Sequence, residues 1–233
     1  MEYPKSEVYL QDCMEGMKRY PDKYFDLAIV DPPYGIKQDG KSNHSRKGKA
    51  KATQYAAKEW DRYKPDSSYF KELFRVSKNQ IIWGGNYFVE HLPSSMCWIF
   101  WDKQIGASFS DGEFAFTSFN TRARKFIYTW NGFRQGENCQ SIEPRIHPTQ
   151  KPVALYKWLL ENYATTGNKI LDTHMGSQSS RIAAYKMGFN YTGFELDADY
   201  FKAGCQRFEL EIQKQELFTP KQINPLNGDL FAA

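Results

Sequence analysis

Phe25-Asp-Leu-Ala-Ile-Val-Asp-Pro-Pro-Tyr-Gly35 decides the reading of this chain. Its first six residues form an almost unbroken apolar run, the pattern of a strand buried on both faces of a parallel sheet. The run stops at Asp31, where two prolines forbid both ladder pairing and helix, so a rigid turn closes the strand. In open α/β sheets the C-terminal ends of strands carry the chemistry. Asp31 therefore stands where a functional carboxylate belongs.

Working outward, the alternation of strand and helix patterns continues. Strands are expected at Val8–Leu10, Gln80–Trp83, Met96–Trp101, Lys169–Asp172 and Tyr191–Glu195. Helices are expected at Cys13–Tyr20, from a Ser67 or Ser68 cap to Val76, Asn86–Leu92, Val153–Tyr163, Ser179–Met187 and Ala198 to about Lys214. This alternation predicts an α/β fold with a mixed, mostly parallel sheet and helices on both faces. Residues 1–233 read as one domain. Residues 36–66 read as a mobile basic loop within it, and 102–146 as an inserted region with short strands at Glu113–Phe119 and Lys125–Trp130. The tail from Gln215, with Pro220, Pro225 and Gly228, reads as irregular.

Composition narrows the classes. The chain is 41% hydrophobic and 25% charged, an ordinary globular balance. No apolar run is long enough to span a bilayer, and Met1–Leu10, with Glu2, Lys5 and Glu7, lacks the core of a secretory leader; a cytoplasmic protein is expected. Cys13, Cys97, Cys139 and Cys205 are scattered, as are the four histidines, so no metal site is expected. Between Lys37 and Lys64 nine Lys/Arg face three Asp/Glu, a local excess larger than the net +4 of the whole chain. Such a segment suits a polyanion as well as it suits a solvated loop.

The turn after the first strand has a chemical logic. An exocyclic amine on a heteroaromatic ring is a poor nucleophile because its lone pair is delocalised. A carboxylate and a backbone carbonyl fixed side by side accept both N–H bonds and pull the nitrogen toward tetrahedral geometry. Asp31 offers the carboxylate and Pro32 the carbonyl, with Pro33 stiffening the turn. Tyr34 offers a face on which an extruded base stacks.

A second constellation is Ile170-Leu-Asp-Thr-His-Met-Gly-Ser-Gln-Ser-Ser180, a strand, a tight turn and a helix start. Glu195 ends the next strand, 19 residues after Gly176. An acid at about that distance beyond a glycine turn is placed to grip ribose hydroxyls. There is no GxGxxG and no Walker lysine, so a nucleoside cofactor is favoured over a dinucleotide or ATP.

Asp31-Pro-Pro-Tyr34 followed by Leu171-Asp-x-x-Met-Gly-Ser177 resembles the β class of amino-group (N6-adenine/N4-cytosine) DNA methyltransferases, in which the catalytic motif precedes the cofactor motif. Asp12-Cys13 and His147-Pro-Thr-Gln-Lys-Pro152 are similar to two further segments of that family. The resemblance implies a Rossmann-like class I methyltransferase fold with permuted motif order and S-adenosylmethionine as cofactor. It implies a catalytic set of Asp31, Pro32, Pro33 and Tyr34. The cofactor set it implies is Asp12, Cys13, Asp31, His147, Lys151, Asp172, His174, Gly176, Ser177, Glu195 and Leu196, with His147 and Lys151 at the methionine end.

Double-stranded DNA is the implied partner, contacted by Lys47, Lys49, Lys51, Arg122, Arg124 and Lys125, with 102–146 as the target-recognition region. Phe126, Tyr128 and Trp130, alternating beside these cations, read as core. The resemblance suggests a homodimer and leaves a cognate restriction endonuclease open. Asp-Pro-Pro-Tyr favours adenine N6. Cytosine N4, an RNA or protein amide amine, and a binding protein without catalysis stay open as alternatives.

Two departures stand out: His174 occupies the place of the family's phenylalanine, and Gln178 that of a glycine. If the backbone there needs positive φ, Gln178 is strained by about 1–3 kcal/mol.

Overall fold

A computed structural model describes residues 3–36, 61–104, 110–131, 134–136 and 143–218. The strands are β1 (Ser6–Leu10), β2 (Phe25–Val30), β3 (Ser77–Trp83), β4 (Trp98–Asp102), β5 (Gly112–Thr117), β6 (Arg124–Ile127), β7 (Trp130–Asn131), β8 (Arg134–Gln135), β9 (Lys169–Asp172) and β10 (Asn190–Glu195). The helices are α1 (Cys13–Met17), α2 (Ser67–Val76), α3 (Val153–Tyr163), α4 (Ser179–Lys186) and α5 (Ala198–Phe218). None is long and apolar enough to cross a membrane.

Eight strands form one sheet in the order β1-β10-β9-β2-β3-β5-β4-β6, and β7 pairs separately with β8. Every pairing in the large sheet is parallel except those of β5, which runs antiparallel to both β3 and β4. The expected mixed, mostly parallel sheet is the one observed. Side chains of β2 alternate between two cores. Leu27 and Ile29 pack with Leu155, Leu159 and Ala183 beneath α3 and α4. Ala28 and Val30 pack with Met17, Phe70 and Leu73 beneath α1 and α2. Burial on both faces is why these strands read as continuous apolar runs.

The decisive feature for function is the β2–β9 pairing, Leu27 to Ile170 and Ala28 to Leu171. From β9 the chain proceeds to β10 on one side, and from β2 to β3 on the other. This is the topological switch point at which open α/β sheets leave a crevice. The turns after Val30 and after Asp172 open side by side into it.

Several expectations need correction. The cap of α2 is Asp66, whose carboxylate accepts from Ser68 N at 2.8 Å and Ser68 Oγ at 2.5 Å; a carboxylate outcompetes the neighbouring hydroxyls for the free N–H. Residues Asn86–Leu92 form two 3₁₀ turns, at Gly85–Tyr87 and Val89–His91, not one helix. Helix α5 continues one turn past Lys214. Within the stretch 102–146, β5 lies between β3 and β4 and β6 forms the sheet edge. Most of the basic loop (37–60) and the tail from 219 lie outside the described residues.

Candidate active site

The Asp31 turn is held from three sides. Tyr34 donates its hydroxyl to Asp31 Oδ1 at 2.5 Å. Gly35, at φ +73°, donates its N–H to the buried Asp61 carboxylate at 2.9 Å, tying the turn to the returning chain. Tyr87 stacks on Tyr34 with centroids 4.9 Å apart and planes 14° apart. Beneath the ring lies Gly84, at φ +67°, where a Cβ would come within 2.2 Å of Tyr34 Cε1. Only glycine meets both demands. Burial, and the carboxylate of Asp31 beside it, push the Tyr34 hydroxyl well above its ordinary pKa, so it stays a donor.

The neighbouring turn is built from β9 and β10. Asp172 accepts from Ser180 Oγ at 2.5 Å and from His174 N at 3.0 Å. Burial pushes its carboxyl up to about 7. Gly176, at φ +48°, donates its N–H to Glu195 Oε2 at 2.8 Å, and Asp197 N donates to Glu195 Oε1 at 2.9 Å. The 19-residue spacing thus closes into a direct contact. His147 seats its ring 3.7 Å from the position of a Cβ on Gly176, and meets Tyr200 edge-on at 4.2 Å. At the end of β1, Gln11 N donates to Glu195 O at 2.9 Å, which brings Asp12 and Cys13 alongside. Asp12 caps α1 through Met14 N at 2.7 Å. Burial, with Asp12 adding to it, pushes the Cys13 thiol up to about 12, so it remains a neutral packing group. Leu196, the next residue after Glu195, is 71% exposed.

His174 acts as an aromatic wall. Its Nδ1 lies 2.9 Å from Thr173 Oγ1, which lies 2.7 Å from the Tyr69 hydroxyl, and its ring meets Tyr69 edge-on. Burial lowers its pKa to about 4, leaving a neutral ring near pH 7. Gln178 adopts φ +59°, the left-handed conformation anticipated from the glycine it replaces. Its side chain is fully buried and lies against Gly204, Phe201 and Arg181 rather than beside Glu195.

Lys151 is placed differently from the expectation. Its ammonium lies 2.5 Å from Asp31 Oδ2, 3.3 Å from Tyr34 Oη and 3.0 Å from Glu113 Oε2, so it faces the first turn. Sequence reading missed Glu113 altogether. It also missed Arg207, whose Nη1 donates to Ser177 O at 2.7 Å and Ser179 Oγ at 2.9 Å while Nη2 reaches Glu143 at 2.9 Å. Glu143 in turn accepts from Val153 N at 3.1 Å, joining the start of α3 to the Ser177 loop. An acid at the start of an aromatic strand and a basic residue within a helix carry no local signal of such partners.

Of the cations assigned to DNA, Lys47, Lys49 and Lys51 lie outside the described residues. Arg122 is exposed. Arg124 donates to Asn162 Oδ1 at 2.8 Å and lies over Trp158, and Lys125 pairs with Asp102 at 3.5 Å. They sit on or beside β6, four strand spacings or roughly 19 Å along the sheet from β2. Phe126, Tyr128 and Trp130 pack into the core.

Known proteins share this architecture. YubD of Escherichia coli (strain K12), named as a methylase, is 27% identical over 217 residues, covering 84% of this chain and 87% of YubD. The M1.HpyAVI–SAM complex superposes with a TM-score of 0.53 at 18% identity, over 86% of this chain and 98% of that one. PvuII DNA methyltransferase, described as cytosine-N4-specific, gives a TM-score of 0.56 at 14% identity, over 91% and 92% of the two chains. Both structures share the class I methyltransferase fold. Residues 89–206, which include the Gly176 turn and Glu195, match the N6/N4 family model described as DNA methylase. By its sheet, its paired turns and this match, the chain belongs to the N6/N4 family of DNA methylases.

Proposed function

We propose that this DNA methylase transfers the methyl group of S-adenosylmethionine to the exocyclic N6 of adenine in double-stranded DNA. The observation that carries the reading is the pairing of β2 with β9, which sets the Asp31 turn beside the Gly176–Glu195 turn.

The residues fit the cofactor. Glu195 ends β10 as a carboxylate steered by two backbone N–H groups, suited to ribose hydroxyls. Gly176 keeps the adjoining backbone bare beside the His147 ring, and Leu196, the residue after Glu195, is exposed. When bound, S-adenosylmethionine supplies a methyl already activated on a sulfonium. Lys151 donates to Asp31 and Tyr34 and is ion-paired with Glu113, so the cofactor's methionine carboxylate is assigned to other donors of the cleft.

Asp31 accepts one amine N–H and the Pro32 carbonyl the other, which localises the nitrogen lone pair. With the cofactor bound, its sulfonium would give up the methyl to that nitrogen, and Asp31 would take the proton the nitrogen sheds. Tyr87 backs one face of Tyr34, and the extruded base stacks on the opposite face. Fixed partners in a dry crevice supply the catalysis through positioning. Recognition is assigned to parts of 102–146, and backbone contacts to the basic segment around Lys47–Lys51.

Adenine is favoured by Asp-Pro-Pro-Tyr. The decisive experiment is labelled methyl transfer to DNA, RNA and protein, followed by nucleoside analysis. N6-methyladenine in DNA is expected, and Asp31→Ala abolishes it while sparing cofactor binding. N4-methylcytosine overturns the choice of base. Full activity of the variant removes Asp31 from the mechanism.

A further inference from the structure

Four charges alternate through the wall of the site. Lys103, just after β4, pairs with Glu113 on β5; Glu113 pairs with Lys151 ahead of α3; Lys151 pairs with Asp31 after β2. The Lys151 side chain is only 4% exposed. Its ammonium lies 5.5 Å from the centre of the Trp83 ring, and that of Lys103 4.9 Å from the centre of Trp101. Two cations and two carboxylates thus balance inside an aromatic enclosure.

An ammonium has three N–H donors and no acceptor. Lys151 donates to Asp31 Oδ2 and Tyr34 Oη, and its ammonium is ion-paired with Glu113 Oε2 at 3.0 Å. Tyr34 donates onward to Asp31 Oδ1, closing a triangle. Were Glu113 neutral, Lys151 would lose one of its two counter-charges, and more of the cation's field would fall on Asp31, the group that must accept from an amine.

The geometry points to Glu113 as a positioning residue for methyl transfer: it shares Lys151 with Asp31, which fixes the ammonium against both Asp31 and Tyr34 and preserves the acceptor strength of the Asp31 carboxylate. This rests on the catalytic reading of Asp31 given above. The other groups facing Asp31 are Tyr34 in its own turn, Asp172 after β9, Tyr69 on α2 and Tyr156 on α3. Among the charged neighbours, Glu113 raises the Asp31 carboxyl and Lys151 lowers it, so removing each moves Asp31 in opposite directions.

The test uses the purified full chain with S-adenosylmethionine and unmethylated genomic DNA. Glu113→Gln is expected to lower kcat roughly 10- to 100-fold, the order expected of a misplaced reacting group, with the KM for DNA changed by less than about twofold. Its acid limb in the kcat–pH profile moves to lower pH, whereas that of Lys151→Met moves to higher pH. A carbon-13 titration of the Asp31 carboxyl, identified by its loss in Asp31→Asn, follows the same opposite shifts without cofactor or DNA. The double variant Glu113→Gln/Lys103→Met, which restores charge balance, guards against misfolding and shows the same shift. Wild-type kcat and an unmoved Asp31 titration in folded Glu113→Gln overturn the proposal. So does failure of both Glu113 variants to fold, which makes the network purely structural. Full activity of Asp31→Asn alongside the expected carboxyl shifts instead removes the catalytic reading and leaves the electrostatic coupling standing.

Discussion

Gln178 is a buried, non-glycine residue in the left-handed region at the entrance to α4, so its replacement by glycine and by alanine separates backbone strain from side-chain packing. Holding a side chain at φ +59° costs about 1–2 kcal/mol, which glycine recovers and alanine does not. Both variants lose the same contacts. The bond from Arg181 Nη1 to Gln178 Oε1 at 2.8 Å has a charged donor and is worth about 1.5–3 kcal/mol. The 3.3 Å bond from Nε2 to Phe201 O adds about 1 kcal/mol. Loss of the side chain against Gly204 adds about 1 kcal/mol more. Gln178→Gly is therefore expected to destabilise the fold by about 1.5–4 kcal/mol, and Gln178→Ala by about 1–2 kcal/mol beyond that. In a chain of this size 1 kcal/mol moves Tm by about 2–4 °C. Urea and thermal unfolding measure both variants, and calorimetry with S-adenosylmethionine measures affinity. Because the side chain turns toward α5, affinity should change far less than stability. Alanine equal to or more stable than glycine would refute the strain argument. A large loss of affinity with unchanged stability would refute the placement of the side chain.

Two further predictions follow from the same two turns. His174→Phe removes a group whose pKa is lowered from 6.5 to about 4 by burial. Between those values the unfolded chain binds the extra proton, so the wild type loses stability as pH falls through that window. The variant should therefore gain about 1–2 kcal/mol relative to wild type at pH 5 compared with pH 8 in urea titrations; equal differences at both pH values count against it. Gly84→Ala drives a Cβ into Tyr34 and strains a φ of +67°, so methyl transfer should fall roughly 10- to 100-fold with the circular dichroism retained. An alanine variant with wild-type kcat would mean that Tyr34 need not stay where Gly84 puts it.

Much of this architecture was legible in one dimension because its causes are local or periodic. A strand buried on both faces must be apolar at nearly every position, so Phe25–Val30 announced itself, while Lys169–Asp172 was marked only by Ile170 and Leu171 ahead of the glycine turn. Asp-Pro-Pro is a backbone constraint written in residue types. The interval from Gly176 to Glu195 is one crossover unit long, which is why Glu195 could be expected at the end of the neighbouring strand. At Gln178 the sequence raised only the condition, strain if the backbone needs positive φ, and the structure meets it with φ +59°. The antiparallel strand β5 was less visible as part of the central sheet, since its place depends on pairing with β3 and β4 rather than on its own pattern.

What only the tertiary structure decided is the company that Asp31 keeps. Lys151 stands 120 positions away in the chain, in a motif that marked it for the cofactor and not for Asp31, and nothing local marks Glu113 as its partner. Their meeting depends on the register across β3, β5 and β4 and on the path of the chain into α3. Sequence determined that a carboxylate sits at a strand end beside a cofactor-type turn, because hydrophobic burial and proline stereochemistry act over a few residues. Folding alone determined how that carboxylate is charged and held, because electrostatic partners are chosen by distance in space.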